Sequence, residues 1–307
     1  MPRKMEITVR MGCRVDCKYC PQKHTLSRYY KDDPKRETVM SLENYKKFID
    51  KIPRDVNILF SGMCEPFLNE KCIDMVEYAF KTGHDVDMYT TLVGMSMDDY
   101  RKLQEMRIHF FVLHVADKDM NAKIPVNAEY LEKLNAVIEG HISKKFPITT
   151  ISVHGDFHPQ IVDLMKKIPD VPVLREIYDR AGNLEDKEGV TITVDEPKMG
   201  KLACSKCHGH ALDVNYLLPD GSILVCPMDW GLDNIIGNLN TQSYEEIAEG
   251  ELKQAFRNRM QSDGVGDEDL LCRHCHEAKP LSEYKKEVFK ENTKNVLRRI
   301  IKGKPKA

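Results

Sequence analysis

The sequence lacks any apolar run near the ~20 residues that a membrane-spanning helix requires, so nothing in it reads as a transmembrane segment. Its first residues, M-P-R-K-M-E-I-T-V-R, carry charge but have no apolar core and no small-residue cleavage site, so they do not read as a secretory leader. Charge of one sign is also missing. Lys and Arg number 46 against 48 Asp and Glu, for a net charge of -2. That excludes the broad basic bias on which nucleic-acid binders rely, and no nucleic-acid partner is expected. The one basic stretch, R-R-I-I-K-G-K-P-K-A, reads as a solvated tail. There is no internal repeat, no low-complexity tract and a single tryptophan, Trp230. The expected compartment is the cytoplasm, where thiols stay reduced, and no membrane partner is expected.

Against these absences stand ten cysteines in 307 residues. In a reducing compartment they are better read as metal or cluster ligands than as disulfides. They are grouped rather than scattered. Cys13, Cys17 and Cys20 fall within M-G-C-R-V-D-C-K-Y-C-P, and Cys64 and Cys72 lie between. Cys204, Cys207, Cys226, Cys272 and Cys275 form a later group. An odd number of close thiols does not suit a disulfide framework, and a closed tetrahedral zinc site needs four ligands. Three protein ligands with one open position would explain the first group.

The first ~180 residues alternate β-branched and aromatic runs with amphipathic ones. Strands are expected at 5–10, 56–61, 85–91, 108–115, 148–153 and 171–178. Helices are expected from Ser41, over about 69–81, and near 97–106, 127–141 and 159–168. On one of them Cys72, Met75, Val76 and Ala79 share an apolar face, which makes Cys72 a core residue. This βα alternation predicts parallel pairing, either in an incomplete α/β barrel or in an open doubly wound sheet. Both place an active site at the carboxyl ends of the strands, and the first three cysteines follow the first strand. After Asn183 the texture turns polar and turn-rich. V-N-Y-L-L-P-D-G-S-I-L-V-C then reads as a hairpin turning at Pro219-Asp220-Gly221, and a final amphipathic helix is expected over about 281–301.

C-x3-C-x2-C after a first strand, with Tyr19 just before the last cysteine, resembles the radical S-adenosylmethionine enzymes. The resemblance implies a partial (β/α)6 TIM-like barrel over about 1–185. It implies that Cys13, Cys17 and Cys20 hold three irons of a 4Fe-4S cluster, whose open iron chelates S-adenosylmethionine. Reductive cleavage then gives a 5′-deoxyadenosyl radical that takes a hydrogen atom from the substrate. S-G-M-C-E-P-F (61–67) resembles the family's G-G-E-P segment, with Met63 and Cys64 departing from the usual form. By that resemblance Gly62 and Glu65 contact the methionyl amino group, and Tyr19 borders the cofactor. Y-D-R-A-G-N (178–183) resembles the segment that closes the barrel, which places Arg180 beside the cofactor or substrate.

The later group has the form C-x13-G-x4-C, a gap, then C-x2-C, which resembles SPASM and twitch domains. No cysteine follows Cys275, so the shorter twitch version is implied over about 195–280, with a helix and basic tail over 281–307. Cys207, Cys226, Cys272 and Cys275 would hold an auxiliary 4Fe-4S cluster, with Cys204 as an alternative first ligand and Trp230 as a cover. The two C-x2-C pairs, with His208, His210, His274 and His276, also fit a structural zinc site.

A fully ligated auxiliary cluster suits outer-sphere electron acceptance, which implies net oxidation of a substrate. Asp117 and Asp156, which follow the fourth and fifth strands, are candidate proton acceptors. Cys64 is a competing candidate as a hydrogen-atom donor of the kind radical epimerases use, or else a small apolar filler. Many relatives act on peptides and carry an N-terminal peptide-binding module. Here the first strand begins near Met5, so a small molecule such as a sugar or aminocyclitol is expected. A peptide or protein side chain is the alternative substrate, and a flavodoxin- or ferredoxin-type protein is the expected electron donor. A zinc-stabilised binding protein with no catalytic activity is the remote alternative.

Overall fold

A computed structural model describes residues 3–184, 192 and 196–302. The expected junction between units at 185–195 lies almost wholly outside the described residues, as does the tail from 303. The apolar runs of the first half become parallel strands β1 (Lys4–Ile7), β2 (Asn57–Phe60), β3 (Val86–Thr90), β4 (Ile108–His114), β5 (Thr150–Ser152) and β6 (Val173–Leu174). They pair in sequence order, each joined to the next through a crossover. Met5, Ile7, Ile58, Phe60, Val86 and Met88 are fully buried, as strands covered on both faces require. The strand expected at 171–178 shrinks to two exposed residues, Val173 and Leu174. Pro172 lacks an amide hydrogen to donate to a ladder, and an edge strand has only one neighbour to extend it.

Helices α1 (Gln22–Tyr29), α2 (Leu42–Ile49), α3 (Cys72–Lys81), α4 (Met97–Gln104), α5 (Ala128–Ile142) and α6 (Val162–Met165) fill the crossovers. Their starts follow capping chemistry. Ser41 accepts from the Asn44 amide at 3.1 Å, and Ser96 with Asp99 closes a capping box. Cys72, Met75, Val76 and Ala79 line the buried face of α3. Among the described residues no helix is long and apolar enough to cross a membrane.

The second half holds β7 (Leu202–Cys204), β8 (Val214–Leu217), β9 (Ser222–Leu224), β10 (Ile235–Asn238), α7 (Tyr244–Ala248), α8 (Glu251–Met260), β11 (Ala278–Pro280) and α9 (Leu281–Lys302). The β8–β9 hairpin turns where the sequence places it. Gly221 takes φ +84° and donates its amide to Leu218 O at 3.0 Å. β8 also lies parallel to β1, with Lys4 opposite Val214 and Ile7 opposite Leu217. One nine-stranded sheet results, in the order β10-β9-β8-β1-β2-β3-β4-β5-β6. β6 and β10 stand at its ends, so the barrel is partial. β7 and β11 pair separately as an antiparallel ribbon.

Candidate active site and cluster sites

The loop from Met11 to Pro21 joins β1 to α1 and carries Cys13, Cys17 and Cys20, all half-buried. Gln22, the first residue of α1, clamps the Cys13 peptide. Its Oε1 accepts from the Cys13 amide and its Nε2 donates to the Cys13 carbonyl at 3.0 Å. Cys20 N reaches Cys17 O at 3.1 Å, and Lys18 N reaches Asn121 O at 2.8 Å, which ties the loop to the segment after β4. The Cys17 sulfur feels both Cys13 and Cys20, and burial pushes its thiol up to about 12. Cys13 goes the other way. The neighbouring Cys64 thiol, and the Glu65 amide that donates to its sulfur at 3.4 Å, draw it down to about 7.

The loop at 61–67 sits against this cysteine loop, at the carboxyl end of β2. Gly62 has φ +104°, and an added Cβ would overlap the hydroxyls of Tyr216 and Thr8. Those two hydroxyls are hydrogen-bonded to each other, and both accept from the Met63 amide, Thr8 Oγ1 at 3.0 Å. Tyr216 comes from β8, so the C-terminal half supports the floor of this loop. The Glu65 carboxylate is buried and accepts four bonds: from Phe67 N at 3.2 Å, Thr90 Oγ1 at 2.7 Å, and Thr91 N and Oγ1 at 2.6 Å each. It ties the end of β2 to the end of β3. Cys64 is 7% exposed, and its sulfur lies 3.5 Å from Gly12 O and 3.4 Å from Glu65 O.

Inside the carboxyl end of the sheet, Tyr19 reaches the barrel wall. Its hydroxyl lies 2.7 Å from His114 Nε2. His114 Nδ1 meets Ser152 Oγ at 2.9 Å and Tyr89 Oη at 3.3 Å. The His154 ring stands edge-on to Tyr19, centroids 4.0 Å apart. Burial, then the charge of Arg180, pushes His154 down to about 4, and burial pushes His114 well below the usual histidine range. Both imidazoles are therefore neutral near pH 7. Arg180, at φ +56°, has a buried Nε with no hydrogen-bond partner, and His154 Nδ1 is likewise unpartnered. Buried orphan polar atoms are uncommon and leave capacity for a ligand.

The two candidate carboxylates stand in different settings. Asp117 is fully buried and accepts from the amides of Asp119, Asn121 and Ala122, at 3.1, 2.8 and 2.7 Å. It organises the turn after β4. Asp156 is exposed.

In the second half, Cys204, Cys207, Cys226, Cys272 and Cys275 all line one cavity, with Lys206, Glu277 and apolar side chains including Leu212, Met228 and Leu271. The cysteines arrive from β7 and its knuckle, from the end of the β8–β9 hairpin, and from the turn before β11. Cys204 Sγ accepts from the Cys207 amide at 3.3 Å. Cys226 Sγ accepts from the Met228 amide at 3.4 Å. Burial pushes Cys272 well up and Cys275 up to about 12.

Among the described residues no group of three or more His, Cys, Asp or Glu side chains could hold a single metal ion. A cubane spreads its thiolates over a wider frame than one tetrahedral ion does, and a cavity lined by five thiols offers the donor set it needs. None of the four nearby histidines lines it. His208 pairs with Asp213 at 2.8 Å, His210 with Leu202 O, and His274 with Glu268 O at 2.8 Å, while His276 stacks on Tyr178. Trp230, expected over these thiols, instead packs with Met11, Tyr29, Met63 and Tyr216, against Cys20. The loop after Cys226 turns back to α1, where Thr25 Oγ1 donates to Trp230 O at 2.9 Å.

A thiol loop at the carboxyl end of β1 in a partial parallel barrel, with a second thiol-lined cavity beyond it, defines an enzyme fold built around iron–sulfur chemistry. The chain belongs to the Radical SAM superfamily, whose family model matches residues 7–168, more than half of its length. A second model, described as an iron–sulfur cluster-binding domain and named SPASM, matches residues 202–276. The protein is therefore an enzyme that uses a 4Fe-4S cluster, S-adenosylmethionine and auxiliary iron–sulfur chemistry. The zinc and non-catalytic alternatives fall with these matches. No curated protein matches the sequence.

Solved structures share the fold at low identity. BtrN in complex with AdoMet and 2-DOIA aligns at TM-score 0.55 and 18% identity, over 92% of this chain and 94% of that one. SuiB of Streptococcus suis bound to its precursor peptide SuiA aligns at 0.55 and 10%, over 90% and 71%. The anSMEcpe enzyme with bound AdoMet and Kp18Cys peptide aligns at 0.50 and 15%, over 85% and 84%.

Sequence reasoning can place Thr90, Thr91, His114 and Ser152 at strand ends, but no motif assigns them a role. It missed Thr8, Tyr89, His154 and Tyr216. His154 and Tyr89 could have been found by their place at the ends of β5 and β3. Nothing local marks Thr8 and Tyr216, which meet across more than two hundred residues of chain.

Proposed function

We propose that this enzyme removes two electrons and two hydrogens from a small, polar, hydroxyl- or amine-bearing substrate. The five-thiol cavity carries the reading, because an auxiliary cluster held entirely by protein thiolates is suited to take the second electron. When bound, S-adenosylmethionine and its cluster supply hydrogen-atom abstraction, and the auxiliary cluster supplies a one-electron acceptor. Cys13, Cys17 and Cys20 hold the first cluster in this reading. Cys226, Cys272, Cys275 and one thiol of the Cys204–Cys207 knuckle hold the second, with Cys207 favoured by spacing and Cys204 by the amide that donates to its sulfur. The barrel unit then spans about 1–185 and the cluster unit about 195–280, although β8 joins their sheets.

The chain's own side chains fit a polar guest. Tyr19, Tyr89, His114 and Ser152 form a neutral hydrogen-bonded wall. The unpartnered Arg180 Nε and His154 Nδ1 would receive substrate hydroxyl or amino groups. The bound 2-DOIA of BtrN agrees with a small substrate, while the peptides bound to SuiB and anSMEcpe keep a peptide as the competing class. A flavodoxin- or ferredoxin-type protein would supply the first electron.

The test is anaerobic turnover of the reconstituted enzyme with S-adenosylmethionine, dithionite, and panels of sugars, aminocyclitols and short peptides. Equal yields of 5′-deoxyadenosine and a product two hydrogens lighter are expected with a polyol or aminocyclitol. Stoichiometric 5′-deoxyadenosine with a substrate unchanged in oxidation state would sink the oxidative reading. Turnover with peptides alone would sink the small-molecule one.

A further inference from the structure

The chain as a whole carries a net charge of -2, but that charge is not evenly spread. Residues 11–31, the first thiol loop with α1 and the two residues after it, hold five Lys and Arg against one acid, Asp16. Asp16 is paired with Lys123 of the neighbouring turn, so the negative charge on the loop is cancelled. Arg28 pairs with Asp233. The Lys18 ammonium meets neutral oxygens, Asp119 O at 3.3 Å and Asn121 Oδ1 at 3.4 Å, and keeps its charge uncompensated. Arg14, Lys23 and Lys31 are exposed, and among the described residues they make no ion pair. α1 turns Thr25 and Tyr29 inward and leaves Lys23 and Ser27 in solvent. No large apolar side chain of 11–31 is exposed, so this face is charged rather than sticky.

The same face is the thin wall of the first thiol site. Cys13, Cys17 and Cys20 are half-buried, while Arg14 and Asp16 between them are exposed. On the barrel side, Tyr19 and His114 are buried. Electron transfer between proteins falls steeply with distance, so a donor reaches these thiols best from the outer face of the loop. Weak electron-transfer encounters bury little surface, and opposite charge raises their association rates by about 10- to 1,000-fold. We propose that the outer face of the thiol loop and α1, centred on Arg14, Lys23 and Lys31, is the docking surface for an acidic one-electron carrier protein. The carrier gives up one electron there and is oxidised by one unit, the first cluster is reduced by one, and no bond or proton moves. The inference rests on the reading that Cys13, Cys17 and Cys20 hold that cluster and that a protein of this kind reduces it.

The experiment mixes iron-loaded enzyme anaerobically with reduced flavodoxin, freezes it at intervals, and follows growth of the S-adenosylmethionine-sensitive EPR signal. Lys23→Glu combined with Lys31→Glu reverses two exposed charges. At low ionic strength its rate should fall about tenfold or more. The gap from wild type should close in about 1 M salt, where the screening length is about 3 Å. Reduced methyl viologen, a small cation, should reduce both proteins to the same extent, which shows the cluster to be intact. Lys144→Glu combined with Lys145→Glu makes the same change of net charge at the exposed turn between α5 and β5, at the opposite end of the strands, and should keep the wild-type rate. Equal slowing by the two double variants overturns the docking surface, as does a wild-type rate in the first at low salt. If the first double variant loses iron, Lys23→Gln with Lys31→Gln decides by the same comparison. The underlying readings fail separately. A wild-type enzyme that viologen reduces and flavodoxin does not would remove the carrier, and the proposal with it. One with no S-adenosylmethionine-sensitive signal under viologen would overturn the ligand assignment.

Discussion

Gly62→Ala is a one-carbon perturbation whose consequences can be worked through. The new methyl would fall inside contact distance of two hydroxyl oxygens, Tyr216 Oη and Thr8 Oγ1. The Tyr216 side chain is 1% exposed and has no room to withdraw. The 61–65 loop must therefore lift, or the Tyr216–Thr8 pair must part. An alanine held at φ +104° is itself strained, by about 1–2 kcal/mol. A lifted loop leaves the buried Met63 amide without its two acceptors, which costs about 1–3 kcal/mol more. The expected loss is about 2–5 kcal/mol, a fall of several degrees in Tm. Weakened S-adenosylmethionine affinity should accompany it, because the same loop is the expected seat of the methionyl amino group. Differential scanning calorimetry and equilibrium binding on iron-loaded protein read the two effects. The double variant Gly62→Ala with Tyr216→Phe removes one of the clashing oxygens and should recover part of both losses. A Gly62→Ala protein that melts and binds like wild type would refute the argument that close packing beneath the loop fixes its shape.

Other outcomes follow from single features. Glu65→Gln turns an NH2 group towards at least one pair of donors, and should cost about 2–4 kcal/mol by denaturant unfolding. His154, buried and held at about 4, adds stability that is complete above its ordinary 6.5 and is lost as pH falls through 4. Wild type should therefore lose about 3 kcal/mol more than His154→Gln between pH 7 and pH 4, as measured by unfolding at each pH. Cys226→Ala, Cys272→Ala and Cys275→Ala should each lower iron from about eight to about four atoms per chain while keeping the S-adenosylmethionine-sensitive EPR signal. Of Cys204→Ala and Cys207→Ala, only one should do so, since a cubane takes four thiolates and five line the cavity.

The first five strands were legible because each is a short β-branched or aromatic run bounded by turn residues, and burial on both faces demands such runs. α3 and the hairpin were legible for the same local reasons: a helical apolar stripe ending at Gly83, and Pro-Asp-Gly at a turn. α1 was not, because Q-K-H-T-L-S-R-Y buries only Thr25 and Tyr29 and shows no stripe. β7 and β11 are three residues each, too short for a period, and exist because the Cys204–Gly209 and Cys272–Cys275 turns bring them together. The thiols could be grouped by spacing alone. What spacing could not supply was orientation. It gave no hint that the Cys64 thiol reaches the Gly12 carbonyl, that Glu65 is occupied by four donors, or that Asp117 accepts from three amides of its own turn.

The parallel pairing of β1 with β8 also sets a clock. During synthesis Lys4–Ile7 leaves the ribosome long before Val214–Leu217 does, and at about 5–20 residues per second the interval is on the order of 10–40 s. Throughout it the first strand has an unfilled edge, and the Gly62 loop lacks the tyrosine beneath it. The nascent barrel therefore cannot finish its first thiol site by itself. The late hairpin that completes the sheet also ends at Cys226, at the wall of the second thiol cavity. The first thiol site thus waits for the hairpin that carries Cys226, and the second waits longer, for Cys272 and Cys275, so neither is finished while only the barrel strands have emerged.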